Sequence, residues 1–324
     1  MTLTMPPPTA AHPPGNRSAW LPYAAAVWAI GYAALRAAWL VAGAPSFGPL
    51  GTDLVVVTGW WAVALHAAAA IVGVALGCAH TWRPALPGAA WMACAAILAS
   101  CALLLLDVVG FLILDLSPAF SLAGFLSRAA ALIGALLLHA AALAHLRRFR
   151  EDCGRCGRTR ESGGPVPRWA WIAAWSAVAG CLARLAAQVA VGFGDLPLAQ
   201  GGSVMLFEVG FLLAGVLLPL ALVHRWGMVW PRWLPLLAGR SVPRLVPLVP
   251  AVVFAVGLVI YFGVGLAQLT VETATGTFDP GDGRYPLAFF WVAESGYWLW
   301  GWGLGVAAVS YHLRTRRPCA HCGR

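Results

Sequence analysis

The sequence predicts an all-α integral membrane protein. Three observations carry that prediction: charge is scarce, apolar runs of bilayer-crossing length recur eight times, and arginine gathers in alternate connections between them. Only 10% of the residues are charged, against 60% hydrophobic, and the mean hydropathy is +0.78. A soluble domain carries about 25% charged residues, so a chain this poor in charge must turn most of its exterior to lipid.

The runs lie near 18–43, 54–79, 87–114, 119–144, 169–193, 203–223, 245–269 and 286–312. Each is close to the roughly 20 residues that a helix needs to cross the hydrocarbon core. They are rich in alanine and glycine, as helices that approach closely in lipid require. None shows the strict alternation of a transmembrane β-strand. The first 17 residues, rich in proline and threonine, read as a disordered tail. The run after them is longer than a signal-peptide core and reads as an uncleaved first span.

Every basic residue is arginine, 21 in all, and the net charge is +9. Basic charge of this size often points to nucleic acid, but here it sits in short connections between apolar runs, which excludes that partner. If the N-terminus is cytoplasmic, 17 of the arginines fall on the cytoplasmic side, Arg284 falls outside, and Arg36, Arg128 and Arg184 lie within spans. The positive-inside rule then places both termini in the cytoplasm. The outer connections instead carry Asp53, Asp115, Asp195, Glu272, Asp279 and Asp282. Arginine without lysine, together with abundant alanine, is the composition of a GC-rich bacterial genome, so a bacterial plasma membrane is the expected location.

Four landmarks recur in order and predict two tandem parallel repeats of four helices. Gly31–Arg36 is echoed by Gly180–Arg184, His80-Thr-Trp82 by His224-Arg-Trp226, and His145-Leu-Arg147 by His312-Leu-Arg314. Cys153-Gly-Arg-Cys156 is echoed by Cys319-Ala-His-Cys322. The repeats span 18–158 and 169–324, with a linker at 159–168. The stretch from His224 to Arg244, with several tryptophans and arginines, reads as an interfacial segment.

The paired C-x-x-C motifs resemble zinc-ribbon knuckles over about six residues each. Two such turns on equivalent helix ends supply the four thiolates of a tetrahedral zinc site. Cys153, Cys156, Cys319 and Cys322 are therefore the expected ligands of one structural zinc ion, with His321 as a substitute. A redox dithiol and inert thiols are the competing readings. Cys78, Cys94, Cys101 and Cys181 fall in spans and read as small apolar residues.

Six ionisable side chains fall inside spans: Arg36, Asp107, Arg128, Arg184, Glu208 and Glu294. At about 1.5 Å of rise per residue they share one layer, roughly 8–15 Å below the outer surface. A lone charge in mid-membrane costs about 2.5–3.5 kcal/mol, so six unpaired would cost on the order of 15–20 kcal/mol. They are expected to pair with one another or to face a wet cavity. His66 and His139 read as packing histidines.

No phosphate-binding glycine loop, H-E-x-x-H or serine elbow occurs. The sequence points to a transporter-like protein whose site is the charged layer. The alternatives are a membrane scaffold or accessory subunit that meets another membrane protein, and a membrane enzyme acting on an anionic lipid-linked substrate.

Overall fold

The computed structural model describes residues 19–47, 51–112, 121–149, 165–192, 202–232, 238–281, 283 and 285–316. Among them the protein is all-α. Nine helices follow in order: α1 (Leu21–Ala42), α2 (Gly59–Cys78), α3 (Ala85–Ser100), α4 (Leu104–Leu112), α5 (Leu122–Phe149), α6 (Arg168–Val191), α7 (Gly202–Val223), α8 (Leu245–Thr275) and α9 (Leu287–Thr315). Alanine and leucine, the best helix formers, dominate these stretches. Their ends carry ordinary stop signals: Gly276 closes α8 in the left-handed conformation, and its amide returns to the last-turn carbonyls of Glu272 and Thr273.

Five of the helices, α1, α2, α5, α6 and α8, are long and apolar enough to cross a bilayer. Two shorter apolar stretches, Ala85–Ser100 and Glu208–Val223, accompany them. Large apolar side chains point outward along these helices, among them Val27, Val41, Ile71, Met92, Ile172 and Val253. Lipid is the solvent such a surface suits.

The helices form two bundles. In the first, α1 packs on α2 and α5, and α3 packs on α2 and α5. In the second, α6 packs on α7 and α9, and α8 packs on α7 and α9. The bundles meet along α8, which touches α3 and α4; there Gly257 leaves room for the side chain of Leu105. The interiors are built from small residues. Ala25, Ala29, Ala69, Ala90 and Ala141 fill the first with Leu76, Ile97 and Leu138. Ala170, Ala174, Ala251 and Ala307 fill the second around Leu258, Trp300 and Leu304.

The closest approach is that of α6 to α9. A Cβ placed on Gly296 would stand 2.8 Å from the carbonyl oxygen of Gly180 and 3.1 Å from the amide of Arg184. Gly180 faces the Gly296 carbonyl in return, and Gly303 lies against the backbone of Ala173 and Ala177. Small residues at a crossing let backbones touch, and dispersion then holds the pair where no hydrophobic drive exists between helices in lipid.

The structure departs from the sequence expectation at the third apolar run. Instead of one helix over 87–114, α3 stops at Ser100 and α4 begins at Leu104. The connection before α2 explains the break. Residues 52–57 run along the interruption, and the amide of Val55 donates to the carbonyl of Ser100 at 2.9 Å. Leu54 is buried at 1% exposure, so this connection enters the bundle rather than lying on its surface.

The segment after α7 begins with a turn. A 3-10 turn at Arg225–Gly227 leads into a short hairpin, in which Val229 bridges Ser241 and the Trp230 amide donates to Arg240.

Candidate functional site

Six of the described residues were expected to share a charged layer, and the structure gives five of them partners across helices. Arg128 on α5 is the most completely held, at 1% exposure. Its Nη1 donates to Asp107 on α4 at 2.6 Å, its Nε to the Asp53 carbonyl at 2.7 Å, and its Nη2 to the Thr52 carbonyl at 2.9 Å. The helix break and the entering connection thus supply three acceptors to the five N–H donors of one buried guanidinium.

Arg36 on α1 pairs with the Asp53 carboxylate. Asp53 was expected in an outer connection facing water. It is 2% exposed and forms the centre of the first-bundle network. The Ser127 hydroxyl donates to Asp53 Oδ2 at 2.5 Å. That commits the one proton of Ser127, so Tyr32 must be the donor in the 2.9 Å contact between the two hydroxyls. The Arg36 guanidinium also lies 5.6 Å from the Trp39 ring centroid, within cation–π range.

In the second bundle Arg184 on α6 meets Glu208 on α7 through both guanidinium nitrogens, with the Nη2–Oε1 contact at 2.7 Å. This two-pronged geometry is the strong form of the pair. Arg184 also stands 5.2 Å from the centroid of Tyr297, and Tyr297 stacks on Phe262 of α8 with centroids 4.0 Å apart. The tight α6–α9 crossing at Gly180 and Gly296 is what brings Tyr297 up to Arg184.

Glu294 differs from the rest. Three arginines and four carboxylates occupy the layer once Asp53 is included, and each arginine takes one carboxylate. Glu294 Oε2 is buried and, among the described residues, has no hydrogen-bond partner. Its carboxylate lies in the notch made by Gly265 on α8, where a Cβ would approach Oε2 to 3.0 Å. Further along α8, Gln268 donates to Glu272 at 2.6 Å. Gly265, Gln268 and Glu272 follow at intervals of three and four, and so form one polar stripe on that helix.

Sequence reasoning missed Asp53, Ser127 and Tyr32. The available signal was the apolar run Leu54–Val57 directly after Asp53, which a surface connection does not need. The Nδ1 of His66 donates to the Ala62 carbonyl at 2.8 Å and its ring lies 4.5 Å from that of Tyr32, while its Nε2 is buried with no hydrogen-bond partner among the described residues. Cys94, Cys101 and Cys181 are buried free thiols, and Cys78 is exposed. Cys153, Cys156, Cys319 and Cys322 lie outside the described residues. Among the described residues no group of three or more His, Cys, Asp or Glu is arranged to hold a metal.

The fold and this charged layer define the class as a multi-pass, all-α membrane-type protein. No family model, no curated protein and no solved structure matches the chain.

Proposed function

We propose that the protein is a transporter-like membrane protein whose ligand engages the charged layer at Glu294. The observation that carries this reading is the inequality within the layer: among the described residues, three carboxylates are matched to arginines, while the fourth lies in a glycine notch with a buried oxygen unpartnered. An ionisable group left in that state inside a membrane is a functional candidate by default. Its chemistry suits a proton or a small cation. The polar stripe of Gln268 and Glu272 offers a route toward it from the end of α8.

The reading includes eight traverses in two parallel repeats with both termini cytoplasmic. It is supported by the matching neighbour pattern of the two bundles and by the shared use of Arg36 and Arg184 as pair-forming residues of the first helix of each. The landmarks Trp82, His145 and His224 each make a ring contact at a helix end, Trp82 with His145 and His224 with Trp171. A zinc ion held by Cys153, Cys156, Cys319 and Cys322 would tie the two bundles together on that side.

The test is flux in proteoliposomes, measured as proton entry under an imposed potential and as uptake of labelled sodium and methylammonium. A saturable flux that Glu294→Gln abolishes supports the reading. Glu208→Gln should abolish it as well, through loss of the Arg184 pair. Absence of every flux, with Glu294→Gln indistinguishable from the parent, overturns it.

A second reading is an accessory or scaffold subunit, favoured by the completeness of the three ion pairs. Such pairs fix packing without any ligand. The lipid-linked-substrate enzyme is weakened by the same pairing, because each layer arginine already holds a carboxylate of its own chain.

A further inference from the structure

At the end of the molecule opposite the charged layer, the turn joining α2 to α3 borders an open surface depression of about 420 Å³. Its polar lining is His80, Thr81 and Arg83, and its apolar wall includes Ala75, Cys78 and Leu86. Volumes in this range accept small-molecule groups. Trp82, between the polar lining residues, contacts the rings of His145 and Phe149 on α5. That brings the last turn of α5, with Arg147 and Arg148, to the same corner. The described carboxylates, Asp53, Asp107, Glu208, Glu272, Asp279 and Glu294, all belong to the layer or to the far side of it. Among the described residues, the formal charge at this corner is therefore positive. The amino end of α3 opens here too, and its dipole offsets the carbonyl end of α2.

The turn after α7, which carries the matching His-x-Trp landmark, is closed. The 3-10 turn folds Gly227 against the carbonyl of Ala221, and Tyr311 donates to the Gly227 carbonyl at 3.0 Å. Arg314 takes the Leu222 carbonyl at 2.7 Å, and His224 turns back on Leu220 at 3.0 Å. One corner turns polar groups onto backbone carbonyls, and the other leaves His80, Thr81 and Arg83 around the depression.

We propose that the α2–α3 corner seats the phosphate of an anionic phospholipid. Arg83 supplies the ionic contact, and His80 and Thr81 supply hydrogen bonds to the phosphate oxygens. The acyl chains run along the outward apolar side chains of α2 and α3, Ile71, Val74, Trp91 and Met92. The proposal rests on the membrane placement of this end of the bundle and is independent of Glu294 and of transport.

The test is native mass spectrometry of the detergent-purified full chain titrated with dioleoyl phosphatidylglycerol. Dioleoylglycerol, with the same chains and no phosphate, and inorganic phosphate are the comparison probes. The lipid with phosphate should bind at least about 10-fold more tightly than the one without, since a charge-assisted contact is at stake. Arg83→Ala should weaken it by about 10-fold, while Arg225→Ala in the closed corner leaves it unchanged. If Arg83→Ala fails to fold, the paired change His80→Ala and Thr81→Val should weaken binding in its place. Equal binding of both lipids, or equal losses from Arg83→Ala and Arg225→Ala, would overturn the proposal. Displacement of the lipid by millimolar inorganic phosphate would also overturn it, by making the ligand a free anion.

Discussion

The two bundles neutralise their buried arginines by different means. In the first, a broken helix and an entering connection surround Arg36 and Arg128 with carboxylates, carbonyls and hydroxyls, so each charge sits in a shared network. In the second, α8 runs unbroken for 31 residues, and Arg184 relies on one two-pronged pair and one aromatic face. The network of the first bundle gives every carboxylate it contains an arginine partner. The simpler arrangement leaves Glu294 without an arginine of its own, and that is where the proposed ligand would engage.

The comparison can be broken most severely at Arg128. Arg128→Ala strands the Asp107 carboxylate and two carbonyls, and should lower stability by about 3–5 kcal/mol, read as a fall in thermal unfolding temperature in detergent. Arg128→Lys should recover little of it, because an ammonium lacks the fork that reaches three acceptors. Arg184→Ala should cost about 3 kcal/mol for the stranded Glu208, measured in the same way. If it costs more than Arg128→Ala, the network account of the first bundle is wrong.

Gly296→Ala forces the α6–α9 crossing apart and should cost about 1–3 kcal/mol by overpacking. Cross-linking between engineered cysteines on the two helices would report the displacement. Glu294→Gln should give the smallest effect, within about 0.5 kcal/mol of the parent, because no partner is lost. A large loss of stability there would show that Glu294 is structural and would erase the distinction between the bundles.

Much of the fold was legible in the sequence. Hydropathy alone located the helices to within a few residues at most ends, because lipid-facing surface must be apolar along its whole length. The expectation that charges inside the apolar runs find partners was legible too, since a buried charge is costly, and five of the six have one. The break after Ser100 was not. Ser100-Cys-Ala-Leu103 contains neither glycine nor proline, and the helix is interrupted by a tertiary contact, the Val55 amide on the Ser100 carbonyl. Asp53 escaped for a related reason: a carboxylate in a connection looks hydrated until the connection itself is seen to be buried. The pairing of particular arginines with particular carboxylates depends on which helices are neighbours, and depth does not contain that information.

The three ion pairs join residues 17, 21 and 24 positions apart. Each arginine therefore finds its counterion within a single hairpin or the connection that closes it. During synthesis such a hairpin can enter the bilayer already neutral, so no arginine waits in hydrocarbon for a distant part of the chain to emerge. A membrane protein with charges this deep is thereby made insertable two helices at a time. The order of insertion is written into the spacing of its ion pairs.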